Sequence, residues 1–163
     1  MESRFFTTPH QDEIEYRLTG PPGHEAVLLL HGWGLDCRSF YPNWSFFSSN
    51  FQVLAPSLSG HGLSRLSEKE REAPGRDQRF IRDVQDLCWS LGIQRLHLVG
   101  VGWGGYLAYR WLQLAPHQVL SLTSIGAPLG IDLKLRMRRF FRRLRRGGHL
   151  HLGETQDLMR SQL

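Results

Sequence analysis

The segment GVGWGG, residues 100–105, has glycines at the spacing of a turn that carries a reactive side chain. It follows the apolar run LHLVGV and precedes GGYLAYRWLQLAP, so we predict a buried strand, a tight turn and a helix closed by Pro116. A glycine–x–nucleophile–x–glycine turn at such a junction exposes a nucleophile for covalent catalysis. Here the apex is Gly102, which has no reactive atom. Because glycine adopts positive φ readily, we predict that the turn keeps its shape and lacks its reagent.

The same letters allow a second interpretation. Gly100, Gly102 and Gly105 match the G-x-G-x-x-G pattern of dinucleotide-binding turns. Three observations oppose it: the turn follows a late strand, no acidic residue stands about 20 positions further on, and Asp132 comes too late. We therefore expect no nucleotide and no other cofactor.

Other chemically capable side chains are scattered. Cys37 and Ser124 are nucleophilic types but lie outside the glycine turn, and His61 is expected in a loop. His149 and His151 have a spacing at which two residues of a strand share a metal ion, but no third ligand is evident. The sequence therefore predicts no metal site.

The turn requires a sheet to hold it. Four apolar runs read as buried strands, namely AVLLLHGWG, FQVLAPSL, LHLVGV and VLSLTSIGAP. The segment SFYPNWSFFSSN is expected to hold a short helix with Pro42 near its first turn, and apolar residues from Phe80 to Leu91 recur at helical spacing. Alternating strands and helices predict an α/β fold, with a mostly parallel sheet and helices on both faces.

Composition narrows the function classes. The chain has 163 residues, 40% of them hydrophobic, and a net charge of +5. Residues 134–146 contribute +8 with no acidic residue, which leaves −3 for the rest, so a general nucleic-acid-binding role is not expected. No apolar run is long enough to span a membrane, and two cysteines far apart favour a reduced, cytoplasmic setting.

The basic segment has its own pattern. Five apolar residues in 133–146 recur at i, i+4, i+7, i+8 and i+11, which predicts an amphipathic helix with an arginine face. A membrane surface or an acidic partner would fit that face. We expect residues 1–130 to form a domain core and residues 131–163 to be the start of a cap region or an irregular tail.

Taken together, the motifs resemble the α/β-hydrolase superfamily over roughly residues 10–130. LLLHGWGLD looks like its oxyanion strand and loop, LAPSLSGHGLS is similar to its D-x-x-G-x-G-x-S loop with Ser57 where aspartate is common, and LVGVGWGGYLA looks like its nucleophile elbow. The elbow is most like that of epoxide hydrolases and haloalkane dehalogenases, whereas HGWG is more like that of carboxylesterases. The expected fold is the N-terminal, incomplete part of an α/β hydrolase.

The resemblance also implies site residues. Gly102 stands at the nucleophile position, and the amides of Trp33 and Trp103 would form the oxyanion hole. His31 would orient the oxyanion loop, and His31 and Gly32 are the expected binding residues. Asp132 stands where some members carry the catalytic acid, although a helix N-cap is the simpler interpretation. The late acid and histidine of the family are not found.

The resemblance implies that the chain descends from enzymes that hydrolyse small apolar esters, epoxides or carbon–halogen bonds. This chain is expected to be inactive, and Gly102→Ser or Gly102→Asp is expected to remain so. The alternative is a non-catalytic binding or regulatory protein that uses the pocket or the basic helix. An exposed sheet edge after SLTSIGAP predicts marginal stability or self-association.

Overall fold

The sheet has six strands. The computed structural model describes residues 2–67 and 76–128, with only the backbone of residues 76 and 77. The strands follow one another across the sheet as β1-β2-β4-β3-β5-β6. Their bounds are β1 Arg4–Thr7, β2 Glu13–Thr19, β3 Ala26–Leu30, β4 Gln52–Pro56, β5 Leu96–Val101 and β6 Val119–Ile125. The first two pairings, β1 with β2 and β2 with β4, are antiparallel, and β4, β3, β5 and β6 are parallel. The predicted mostly parallel sheet is confirmed.

The centre of the sheet is apolar on both faces. All five residues of β3, AVLLL, are buried, because this strand lies between two parallel neighbours and is covered above and below. Alternate residues of the central strands belong to two separate cores: Leu28 and Leu54 to one, Val27 and Val53 to the other. The helices are thereby placed on both faces, as the sequence predicts.

The first face carries the two long helices. Helix α2, Arg76–Ser90, and helix α3, Trp103–Leu114, pack on it with an apolar stripe each. The buried apolar residues of α2 are Phe80, Ile81, Val84, Leu87 and Cys88, and those of α3 are Leu107, Ala108 and Trp111. Among the described residues, no helix has the length and apolarity needed to cross a bilayer.

The second face is covered by a shorter helical segment. A 3-10 helix, Cys37–Asn43, leads directly into helix α1, Trp44–Ser48, and both pack on β3 and β4. The helical stretch starts earlier than predicted, and Pro42 lies at its middle rather than near its first turn. The cause is Asp36, whose side chain accepts a hydrogen bond from Arg38 N at 2.8 Å and caps the 3-10 helix.

Strand β6 is the last strand of the sheet within the described residues. Most of its side chains are exposed or half-buried. Whether the free edge leads to self-association stays a prediction. The predicted domain boundary at residue 130 lies outside the described residues and also stays a prediction.

Candidate functional site

Gly102 is the apex of the turn between β5 and α3. Its backbone has φ 56° and ψ −117°, a combination that is strained for residues other than glycine. Gly102 N donates a hydrogen bond to Ile125 O at 2.8 Å, and Tyr106 N donates to Gly102 O at 3.2 Å. The turn is therefore held by β6 on one side and by the first turn of α3 on the other.

The glycines around the apex are present for a different reason. A Cβ atom on Gly104 would overlap the carbonyl oxygens of Leu30 and His31, and a Cβ on Gly100 would overlap the backbone of Gly104. Among the described residues, in contrast, a Cβ on Gly102 would meet only Gly32 Cα, at 3.9 Å. Close approach of helix and strand requires the flanking glycines, whereas the apex has room for a side chain and lacks one.

The predicted oxyanion loop lies beside this apex. Gly32 is the residue that a Gly102 side chain would touch, and Trp103 opens α3, where the first amides have no acceptor within the helix. The structure thus brings Gly32 and Gly102 together. A negative charge developing here would meet the positive end of the α3 dipole.

His31 is a fully buried residue with both ring nitrogens in use. Leu58 N donates to His31 Nε2 at 2.8 Å, so Nε2 carries no proton and the proton belongs on Nδ1, which donates to Gly32 O at 2.8 Å. Burial is the main reason that the pKa of His31 is lowered from 6.5 to about 4. His31 is therefore a neutral link that ties the oxyanion loop to the loop after β4.

Aromatic rings surround the apex. Trp33 and Trp103 meet edge to face with centroids 6.0 Å apart, and Trp103 stacks on Tyr106 at 4.8 Å. His61 contacts the rings of Trp33 at 5.1 Å and His31 at 5.2 Å. The Nε1 atom of Trp103 is buried and has no hydrogen-bond acceptor among the described residues. The sequence placed His61 only in a loop, and the structure adds it to this aromatic cluster.

Glu15 is a buried residue that the sequence analysis missed. Its carboxylate accepts hydrogen bonds from Ser57 Oγ at 3.0 Å, from Leu63 N at 2.9 Å and from Arg38 Nη2 at 2.6 Å. These bonds lower the pKa of Glu15, against the effect of burial, which raises it. A carboxylate from β2 thus meets Ser57, where the motif commonly has aspartate. The one sequence signal for this carboxylate was the segment EIEYR, which has a charged residue at every second position and so predicts a strand with one charged face.

A second carboxylate holds the same loop from the helix side. Ser59 Oγ donates to Asp83 Oδ2 at 2.6 Å, and Asp83 lies 3.8 Å from Arg79 Nε. Arg79 also pairs with Asp12, whose carboxylate accepts from Ser67 N at 2.7 Å. The loop that carries His61 is therefore attached to α2 and to the turn before β2 by hydrogen bonds to two carboxylates, and Arg79 joins these carboxylates by ionic contacts.

Of the remaining predicted residues that the structure describes, Cys37 lies away from this site and Ser124 lies against one of its glycines. Cys37 is buried beneath the sheet, where Cys37 N donates to Ser57 Oγ at 3.2 Å, and burial raises the pKa of its thiol. Ser124 Oγ lies where a Cβ of Gly105 would come, at 2.7 Å. Asp132, the basic segment 133–146, His149 and His151 lie outside the described residues.

Comparison with known proteins adds to this geometry. A family model described as "alpha/beta hydrolase fold" matches residues 25–147. Epoxide hydrolase 4 from Homo sapiens is 31% identical over 124 residues, which cover 71% of this chain and 31% of that protein. Monoacylglycerol lipase ABHD6 from Bos taurus is 29% identical over 126 residues, which cover 76% of this chain and 36% of that protein. The chain spans about a third of the length of these curated relatives.

A solved structure shows the same fold. The crystal structure of a hydrolase from Pseudomonas aeruginosa superposes with a TM-score of 0.73 at 23% identity, over 83% of this chain and 51% of that chain. At this identity the likeness concerns the arrangement of strands and helices alone.

Proposed function

Because the chain belongs to the alpha/beta hydrolase fold family, we propose that it carries the nucleophile-turn half of a hydrolase site for small ester or epoxide substrates, and that this half is catalytically silent. Its relatives include an epoxide hydrolase and a monoacylglycerol lipase, which supports both substrate classes. Substrates with a carbon–halogen bond are a third candidate class, since the amino-acid sequence of the elbow resembles that of haloalkane dehalogenases.

One observation carries the proposal. The apex residue has the backbone of a nucleophile turn and open space in front of it, and it is glycine. Hydrolysis through a covalent intermediate needs an oxygen or sulfur at the apex that a base can activate. Gly102 offers neither, so the bond to substrate cannot form there.

The rest of the setting supports ligand binding. The oxyanion role of the Trp33 and Trp103 amides needs only backbone, so it does not depend on residue 102. The rings of Trp33, Trp103 and Tyr106 offer an apolar wall, and the buried Nε1–H of Trp103 suits an acceptor atom of a ligand. Binding of a small apolar ester or epoxide without turnover is therefore the second candidate function.

The test of catalytic silence compares the natural chain with Gly102→Ser, Gly102→Asp and the matched control Gly102→Ala. Each protein is incubated with p-nitrophenyl butyrate and with an aryl epoxide and is then digested with trypsin. Residue 102 is recovered on peptide 96–110, which is separate from the following peptide 111–134. We expect no adduct at position 102 itself, mapped by fragmentation of peptide 96–110, and no turnover that depends on residue 102.

Two results would contradict the proposal. Saturable turnover by the natural chain that Gly102→Ala lowers tenfold would place chemistry at the apex without a side-chain nucleophile. A covalent adduct on the introduced serine or aspartate would show that the chain activates a nucleophile at this position.

Binding is tested by tryptophan fluorescence with a hydrolysis-resistant amide analogue of the ester. A saturable change is expected from Trp33 and Trp103, which lie beside the apex. Trp89 is 73% exposed on α2 and serves as the control, because Trp89→Phe should leave the change intact. A signal that disappears with Trp89→Phe would place the ligand elsewhere.

A further inference from the structure

A second group of reactive side chains lies away from the glycine turn. Ser121 Oγ and His97 Nδ1 are 2.8 Å apart, and His97 Nε2 and Glu25 Oε2 are 3.2 Å apart. A hydroxyl, an imidazole and a carboxylate are thus joined in a row. A nucleophile and a base within roughly 2.6–3.2 Å, with the base oriented by a third group, is the recognised signature of an activated nucleophile.

Three neighbouring strands position this trio. Glu25 immediately precedes β3, His97 is on β5 and Ser121 is on β6, and these strands are adjacent and parallel. His97 stands opposite Ser121 in the strand register, just after a register shift at Leu96. Residues opposite each other on one face of a sheet have neighbouring side chains, so the pair follows from the backbone pairing.

The trio is separate from the elbow. His97 lies five residues before Gly102 on β5, which is about 16 Å along a strand. The side chain of His97 is 23% exposed, and Phe51 packs against its ring edge to face at 5.5 Å. Ser121 is exposed. The imidazole is therefore held in place while the hydroxyl remains accessible to a small molecule.

We propose that Ser121 and His97 form an acyl-accepting site for small activated esters, with Glu25 as a positioning residue. Ser121 Oγ attacks the carbonyl carbon while its proton passes to His97 Nδ1, and the Nε2–H bond to Glu25 steadies the imidazolium. The tetrahedral adduct then expels the alkoxide or phenolate, which takes that proton, and an ester remains on Ser121. Water that loses a proton to His97 hydrolyses this ester and restores the serine.

The environment limits the substrates to activated ones. A positioned general base accelerates such a step by about 10²–10⁴-fold, whereas lack of one oxyanion-hole donor costs about 10²–10³-fold. Ser121 lies on a strand, paired with His97 just after the register shift, and not at a helix start. Esters with good leaving groups are therefore expected to acylate Ser121, and ordinary alkyl esters are not.

The experiment measures acylation of the full chain by p-nitrophenyl acetate, followed by tryptic mapping. Peptide 111–134 contains Ser121 and, as an internal control, Ser124 on the same strand. An adduct on Ser121 is expected, together with a loss of about 100-fold in acylation rate in His97→Gln. Ser121→Ala should abolish the adduct, and Ser124→Ala should leave it unchanged. Near-UV circular dichroism checks that each variant is folded.

Glu25 is tested by a readout that a structural role would not change. Because Glu25 is 65% exposed, Glu25→Gln is expected to lower the kcat of acylation only several-fold and to leave the KM for the ester unchanged. An unchanged kcat would overturn the role of Glu25. Absence of an adduct on peptide 111–134, or an equal rate in His97→Gln, would overturn the site. Peptide 96–110 also contains His97, so an adduct on it is assigned to its residue by fragmentation, and only an adduct on a serine or aspartate introduced at position 102 would contradict the proposed silence of the elbow.

Discussion

At its carboxyl end, β5 runs into Gly102, where the backbone has the shape of a nucleophile turn and the apex has no reactive atom. Five residues earlier, the same strand carries His97, which is hydrogen-bonded to a serine and lies beside a carboxylate, just after a register shift between β5 and β6. The first region has a tight strand-to-helix turn and no reactive side chain at its apex, whereas the second has polar side chains in a row across neighbouring strands and no such turn.

The two regions also differ in what holds them. The elbow is fixed by close backbone contacts and by the hydrogen bond from Gly102 N to Ile125 O, and buried hydrogen bonds of His31 hold the loop beside it. The trio at His97 is held by solvent-accessible side chains. A substitution in closely packed, buried structure lowers the free energy of unfolding strongly, whereas exposed polar contacts contribute little to it. Substitutions should therefore damage folding at the first region and chemistry at the second.

The largest effect is expected at Gly104. Gly104→Ala would drive a methyl group into the carbonyl oxygens of Leu30 and His31, which are backbone atoms that cannot move alone. We expect a loss of about 3 kcal/mol in the free energy of unfolding, measured by urea denaturation. Gly102→Ala is the control, with a loss of about 1 kcal/mol from strain at positive φ. Equal losses would contradict the distinction between packed and open glycines.

An intermediate effect is expected from pH through His31. Its pKa is about 4 in the folded chain and 6.5 when unfolded, so the unfolded chain binds more protons between these values and stability falls as pH falls. The loss from pH 7 to pH 5 should be about 2 kcal/mol. In His31→Gln this slope should disappear, whereas the exposed His10→Gln should keep it. A slope that survives in His31→Gln would show that another group titrates.

The smallest effect on stability is expected at His97. His97→Gln removes a half-exposed ring at the surface of the sheet, and its unfolding free energy should change by no more than about 0.5 kcal/mol. The same variant is the one expected to lose Ser121 acylation. A large loss of stability would show that the trio is part of the structural core and would weaken the contrast between the two regions.

Much of the fold could be predicted because its signals are local. The apolar run of β3 indicated a strand buried on both faces, and the spacing from Phe80 to Leu91 indicated the helix that became α2. The family resemblance is confirmed by the match over residues 25–147. The start of the 3-10 helix was missed, since it depends on the Asp36 side chain capping Arg38 N.

The site was predictable only in part. Gly102 and the predicted oxyanion loop could be proposed because each is a short motif within a few residues. The structure places Gly32 against Gly102, and the catalytic roles of both segments stay predictions. Glu15 and Ser57 are 42 residues apart, and Ser121 and His97 are 24 apart. No local pattern links such residues, because their meeting depends on which strands become neighbours and in which register.

The amino-acid sequence thus established the class of fold, the family and the glycine at the apex of the turn after β5, because periodicity, glycine spacing and residue identity are properties of neighbouring positions. Assembly of the chain established which carboxylate meets Ser57, that both ring nitrogens of His31 are occupied, and that a serine, a histidine and a glutamate align across β3, β5 and β6. These contacts join distant segments, and they arise only when burial of the apolar strands fixes the order and register of the sheet.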